Sequence, residues 1–209
     1  NLEAAPVTPP DASTTVDTTA PTGSISINSG ATYTASTSVM LTLSASDANG
    51  VASMAFSTDG TTWSDWEAYA ASRSWTLTGG DGAKTVYVKF KDNAGLESSA
   101  YSDSIILDST APSSSAGPLP TYETSLMFNV PYTASDTTGG SGVANVQLWY
   151  RVGGGSGPYT QYGTTFTSTP ISFTAASDGF YEFYTRATDN AGNLEAAPVT
   201  PPDASTTVD

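Results

Sequence analysis

Asp17, Asp47, Asp92 and Asn93 stand in the first half of this chain, and Asp108, Asp136, Asp189 and Asn190 stand at matching places in the second. Carboxylate and carboxamide oxygens are hard donors. Gathered on irregular backbone they suit Ca²⁺, with backbone carbonyls and water completing about six to eight contacts. The same residue types are common in turns, where they accept local backbone N–H groups and tolerate left-handed conformations. Neither set has the fixed spacing of an EF-hand loop, so the spacing leaves both readings open.

Other chemistry is narrower. The chain has no Cys and no His, which removes thiol nucleophiles, the imidazole base and the usual zinc and iron ligand sets. Asp65 with Glu67, or Asp178 with Glu182, could form a carboxylate pair of the glycosidase kind, but pairs this close in sequence also occur as solvated acids on exposed strands. An activated Ser needs a base, and Lys84, Lys89 and Lys91 read as one solvent-facing strand face. No catalytic residue is assigned, and the expectation is that the chain is not an enzyme. Trp63, Trp66 and Tyr69 crowd into STDGTTWSDWEAYAASRSW. Exposed indoles there would make a flat platform for a sugar ring, while buried ones would simply close the fold over a short strand.

Positioning these residues requires a scaffold, and the chain repeats one. DGAKTVYVKFKDNAG at 81 to 95 aligns without a gap on DGFYEFYTRATDNAG at 178 to 192. The connector VDTTAP (16 to 21) matches LDSTAP (107 to 112), and the order of matches is the same in both halves. Two modules follow, 18–108 and 109–209, each near the roughly 100 residues of an immunoglobulin-type sandwich. Short runs alternate apolar and polar residues between turn signals, as half-buried strands do. In 39–45, Val39, Leu41, Leu43 and Ala45 should face inward, and in 84–90 Val86, Val88 and Phe90 should. Trp75 alternates with Leu77 and reads as core. The Pro-rich end, 198–209, implies an edge strand. Tyr87 and Tyr184 share one place in the repeated block, where either could form a cross-sandwich hydrogen bond. The predicted fold is all-β: two tandem immunoglobulin-like, seven-strand Greek-key sandwiches in an elongated arrangement.

The connectors VDTTAP and LDSTAP, the ASD…GVA stretches at 45 to 52 and 134 to 144, and the KDNAG and TDNAG turns resemble the bacterial Ig-like repeat modules of large surface adhesins and other extracellular array proteins. In such a sandwich the strand start and two of the loops share one pole, which would bring Asp17, Asp47, Asp92 and Asn93 together, and likewise Asp108, Asp136, Asp189 and Asn190. The resemblance implies calcium at the module junctions.

Twenty acidic residues against six basic ones give a net charge of −14, so nucleic acid and anionic membrane surfaces are poor partners. No apolar run approaches membrane-span length. Module two contains no Lys, which excludes a Lys to Asn isopeptide bond there. NLEAAPVTPPDASTTVD occurs at both 1 to 17 and 193 to 209, so 1–17 reads as the last strand and linker of a preceding repeat, and the period is 192 residues. That strand could be donated to a neighbouring copy. The expected role is a structural unit of an extracellular or cell-surface array, a stalk, spacer or fibre, with other copies of itself as partners. The alternatives are a β-sandwich module binding a surface glycan and an accessory segment of a secreted enzyme.

Overall fold

The computed structural model describes residues 15–199 and 202–209. Most of the duplicated N-terminal segment, and with it the expected strand donation, lies outside the described residues. Strands in chain order are β1 (Thr22–Ile27), β2 (Tyr33–Thr34), β3 (Ser38–Ser46), β4 (Val51–Ser57), β5 (Glu67–Ala68), β6 (Ser72–Thr76), β7 (Gly82–Asp92) and β8 (Tyr101–Leu107). They continue with β9 (Ser113–Ala116), β10 (Tyr122–Glu123), β11 (Met127–Val130), β12 (Tyr132–Ser135), β13 (Val143–Val152), β14 (Thr160–Phe166), β15 (Ile171–Thr174), β16 (Gly179–Asp189) and β17 (Ala204–Val208). There is no helix among the described residues.

Sheet orders are β1-β3-β6 and β2-β8-β7-β4-β5 on one hand, and β10-β17-β16-β13-β14 with the ribbons β11-β15 and β9-β12 on the other. Packing divides the chain into two compact units. One takes the described part of 1–26 with 42–73 and 86–103; the other takes 27–41, 74–85 and the described part of 104–209.

The period-two pattern decides which side chains are covered. Val39, Leu41 and Leu43 are buried on β3 with exposed residues between them, and Val86, Val88 and Phe90 are buried on β7. Ala45 and Trp75 are only half-buried. Lys84 differs from expectation: it falls out of phase with Lys89 and Lys91, near the start of β7, and its Nζ reaches the Gly79 carbonyl at 3.5 Å.

In the second unit, Tyr181 and Phe183 of β16 and Leu148 of β13 close on Phe128 and Val130 of β11 and Phe173 of β15. The rings of Phe173 and Phe183 meet edge to face at 4.9 Å, a favoured aromatic geometry. Pro131 has no N–H to give to a ladder, and there the run 127–135 divides: β11 pairs with β15, and β12 pairs with β9.

The edge position expected for the last segment is not what forms. β17 lies between β16 and the two-residue β10, pairing antiparallel with one and parallel with the other. Pro198, Pro201 and Pro202 all precede Ala204, so the strand itself keeps every N–H donor it needs.

Candidate metal centres

Each expected cluster is built on turns that the local sequence dictates. In the first, Asp17 opens the connector and accepts the Thr19 N–H (3.1 Å). Asp47 opens the β3–β4 loop, accepting the Asn49 N–H (2.8 Å), and Gly50 closes that turn at φ +86°, a conformation that favours glycine. Asp92 ends β7, and its Oδ1 accepts the Ala94 and Leu96 N–H groups at 2.8 and 2.9 Å. Asn93 ties the two loops: its side-chain amide donates to the Asn49 carbonyl at 2.6 Å, and its backbone N–H to the Gly50 carbonyl at 3.3 Å.

The result is that one carboxylate oxygen from each of Asp17, Asp47 and Asp92 lies within 4.8 Å of the other two. Two oxygens on opposite sides of a Ca²⁺ ion at its usual bond length are about 5 Å apart, so all three can reach one such ion. Asp92 is 2% exposed, and its Oδ2 and that of Asp17 are buried with no hydrogen-bond partner among the described residues. A cavity of about 300 Å³ opens beside Asp17, lined also by Thr15, Asn49, Asn93 and Ala94. Orphaned anionic oxygens beside space for water are a chemically sound fit to a hard divalent cation.

The second cluster repeats the plan with Asp108, Asp136 and Asp189, again within 4.8 Å of one another. Here the oxygens have donors. Asp108 Oδ2 accepts the Ser141 N–H (2.6 Å) and its Oδ1 the Thr110 N–H (3.2 Å). Asp136 accepts from Thr137 and Gly142, both at 2.7 Å. Asp189 accepts the Asn193 backbone N–H (2.8 Å) and side-chain amide (2.7 Å). Asn190 plays the part of Asn93, its amide bridging the Ser141 and Gly142 carbonyls at 2.8 and 3.0 Å. Burial works to raise the Asp108 pKa, but the hydrogen bonds from Ser141 and Thr110 outweigh it and hold the carboxyl below its ordinary value.

Sequence reasoning missed Asp81. Its carboxylate accepts from the Ser109 N–H, the Ser109 hydroxyl and the Thr110 hydroxyl at 2.9, 2.8 and 2.7 Å, so it clamps the connector that carries Asp108. Asn193 holds the same connector through the Asp108 carbonyl at 2.8 Å.

The aromatic cluster is engaged by cations. Lys89 Nζ sits 4.7 Å over the Trp63 ring and Lys91 Nζ 3.9 Å over that of Trp66, the more exposed of the two at 36%. Tyr69 accepts the Ala45 N–H through its hydroxyl (3.1 Å) and packs edge-on to Phe90. In each of the two carboxylate pairs the glutamate is engaged by an arginine: Glu67 by Arg73, and Glu182 by Arg151. Tyr184 stacks on Trp149 with its ring nearly parallel. Tyr181, three residues earlier on the same strand, donates its hydroxyl to the Ser177 carbonyl at 2.8 Å.

No protein-family model matches the chain, and no curated protein matches it in sequence. Among solved structures it is similar to the fibronectin(III)-like modules of Clostridium thermocellum CbhA, with a TM-score of 0.51 and 14% identity over 88% of this chain and 93% of that one. A tetra-tandem repeat from the extending region of a large adhesion protein also matches, with a TM-score of 0.35 and 20% identity over 90% of this chain and 50% of that one. No helix among the described residues is long and apolar enough to cross a membrane. The chain has an immunoglobulin- or fibronectin-III-like β-sandwich fold.

Proposed function

We propose that this chain is a non-catalytic structural segment of an extracellular surface array, a stalk, spacer or fibre, in which sandwich modules 18–108 and 109–209 recur end to end and calcium stiffens the connectors. One observation carries the reading: the same three-aspartate cluster is built twice, each time from a connector aspartate and two loops that follow it. A cation held there would tie the connector to those loops and offset part of the negative charge. In the second copy Asp17, Asp47 and Asp92 are replaced in role by Asp108, Asp136 and Asp189. Asp81 and Asn193 support the same end, because they fix the connector 108–110 without any ion. Other copies of the chain are the natural partners in such an array. The glycan alternative gains less support, since Lys89 and Lys91 already occupy a face of Trp63 and Trp66.

Single-molecule force spectroscopy tests the architecture. Two unfolding events, each releasing roughly 90 to 100 residues and so on the order of 30 nm of contour, are expected; one event releasing the whole chain would overturn the two-module reading. Small-angle scattering and thermal melting with calcium and with a chelator test the ion. Calcium should lengthen the particle and raise the melting temperature, and identical curves under both conditions would remove it from the proposal.

A further inference from the structure

The two aspartate clusters are copies in sequence position but opposites in what surrounds their oxygens. The bridges Lys91↔Glu97 and Thr188↔Leu194 fix the alignment, and they set Leu96 against Asn193. Both residues donate a backbone N–H to Oδ1 of the aspartate four positions earlier, at 2.9 and 2.8 Å. Only Asn193 has a side-chain amide to satisfy the other oxygen, and it reaches Asp189 Oδ2 at 2.7 Å. The Leu96 side chain has nothing to donate, and Asp92 Oδ2 is left buried without a partner among the described residues.

A second, independent difference acts on the connector aspartate. Asp47 to Gly50 is a short turn, whereas Asp136 to Gly142 carries three more residues. The longer loop turns the Ser141 N–H onto Asp108 Oδ2 at 2.6 Å and the Gly142 N–H onto Asp136. In the short turn the Asn49 N–H goes to Asp47, and Asp17 Oδ2 has no donor among the described residues.

A buried carboxylate oxygen without a donor is costly, and the group that removes the cost gains what the free protein lacks. An ion entering the first cluster meets two such oxygens. An ion entering the second must share lone pairs already engaged by N–H groups or displace them. We propose that the two clusters are therefore unequal divalent-cation sites: the Asp17, Asp47, Asp92 site fills first and depends on the ion for its order, while the Asp108, Asp136, Asp189 site is held by its own amides and binds the ion weakly. This rests on the calcium reading above. In an array it would alternate ion-dependent and ion-independent connectors along one chain.

The test is calcium titration of the full chain by isothermal calorimetry, with Asp92→Asn and Asp189→Asn as single-site knockouts. Two steps separated by about tenfold or more in Kd are expected, the tight one lost in Asp92→Asn and the weak one in Asp189→Asn. The reciprocal swaps Leu96→Asn and Asn193→Leu should weaken the first site and strengthen the second, each by about tenfold. Amide hydrogen exchange in chelator should show faster opening at 47–50 and 92–96 than at 136–142 and 189–193. Equal affinities, a tight step lost in Asp189→Asn, or swaps that leave both constants unchanged while the variants remain folded would overturn the inequality alone. Absence of calcium binding in the unsubstituted chain at millimolar concentration would overturn the calcium reading and this inference together.

Discussion

Gly23 offers a sharp test of how the strand following the first connector is seated. A Cβ built on it would lie 2.4 Å from Phe90 Cε2, 2.8 Å from Phe90 Cδ2 and 2.6 Å from the Ser44 carbonyl oxygen. Carbon atoms pack at about 3.5–4.0 Å, so a methyl group there must gain roughly 1 Å from its neighbours. Neither neighbour yields readily. Phe90 is fully buried, with its ring set edge-on to Tyr69 and against Tyr101, and the carbonyl is backbone. Gly23→Ala should cost about 1–3 kcal/mol, toward the upper end because two walls are hard. For a cooperative unit of about 100 residues that is a fall of roughly 5–15 °C in melting temperature.

The second repeat shows how the position can be refilled. Where the first has Gly23 and Phe90, the second has Ser114 and Ala187, so a larger residue on one strand accompanies a smaller one on the other. Phe90→Ala alone should cost about 3–5 kcal/mol through its cavity. In that background the added Gly23→Ala should cost about 1–2 kcal/mol less than it does alone, because the ring contact is gone and only the carbonyl remains. Urea unfolding followed by tryptophan fluorescence measures all four corners of the cycle. If Gly23→Ala is neutral, or the two changes add within about 0.5 kcal/mol, the steric account is wrong.

Two further outcomes follow from particular hydrogen bonds. Asp59 accepts the Thr62 and Thr61 N–H groups and the Ser57 hydroxyl, and these bonds hold its pKa well below the ordinary 3.8. A depressed folded value means the stabilisation is complete above about pH 4 and is lost as pH falls toward the folded pKa. Asp59→Ala should therefore melt lower than the unsubstituted chain at pH 7, with the gap closing as both are taken down through acid; a gap independent of pH would contradict the assignment. Tyr181→Phe removes only the hydroxyl that donates to the Ser177 carbonyl and should cost about 1 kcal/mol in urea unfolding, whereas Tyr184→Phe should cost less.

Much of the scaffold was legible because a half-buried strand writes its geometry into alternation. Val39, Leu41 and Leu43 announce β3, and Val86, Val88 and Phe90 announce β7, since a one-residue slip would expose the whole set. The two-residue strands β2 and β10 carry no such period, and their parallel pairing with β8 and β17 comes from tertiary placement alone. The end segment misled for a related reason: proline was read across the whole of 198–209, although its effect stops before Ala204. Tyr181 escaped notice because its counterpart in the first repeat is Lys84, so repeat matching drew attention to Tyr87 and Tyr184 instead.

The aspartates themselves were visible, but their inequality was not. The shared block ends at Gly95 and Gly192, and the residue that separates the two clusters is the next one in each repeat, Leu96 or Asn193. Composition treats that exchange as an ordinary loop difference. Geometry makes it decisive, because position 96 or 193 already bonds the aspartate through its backbone, which places its side chain beside the second oxygen. A carboxylate buried at a connector has two routes to neutrality of its surroundings: donors supplied by the chain, or a cation taken from solution. The first commits the connector to one state under all conditions. The second would make its stiffness answer to the ion.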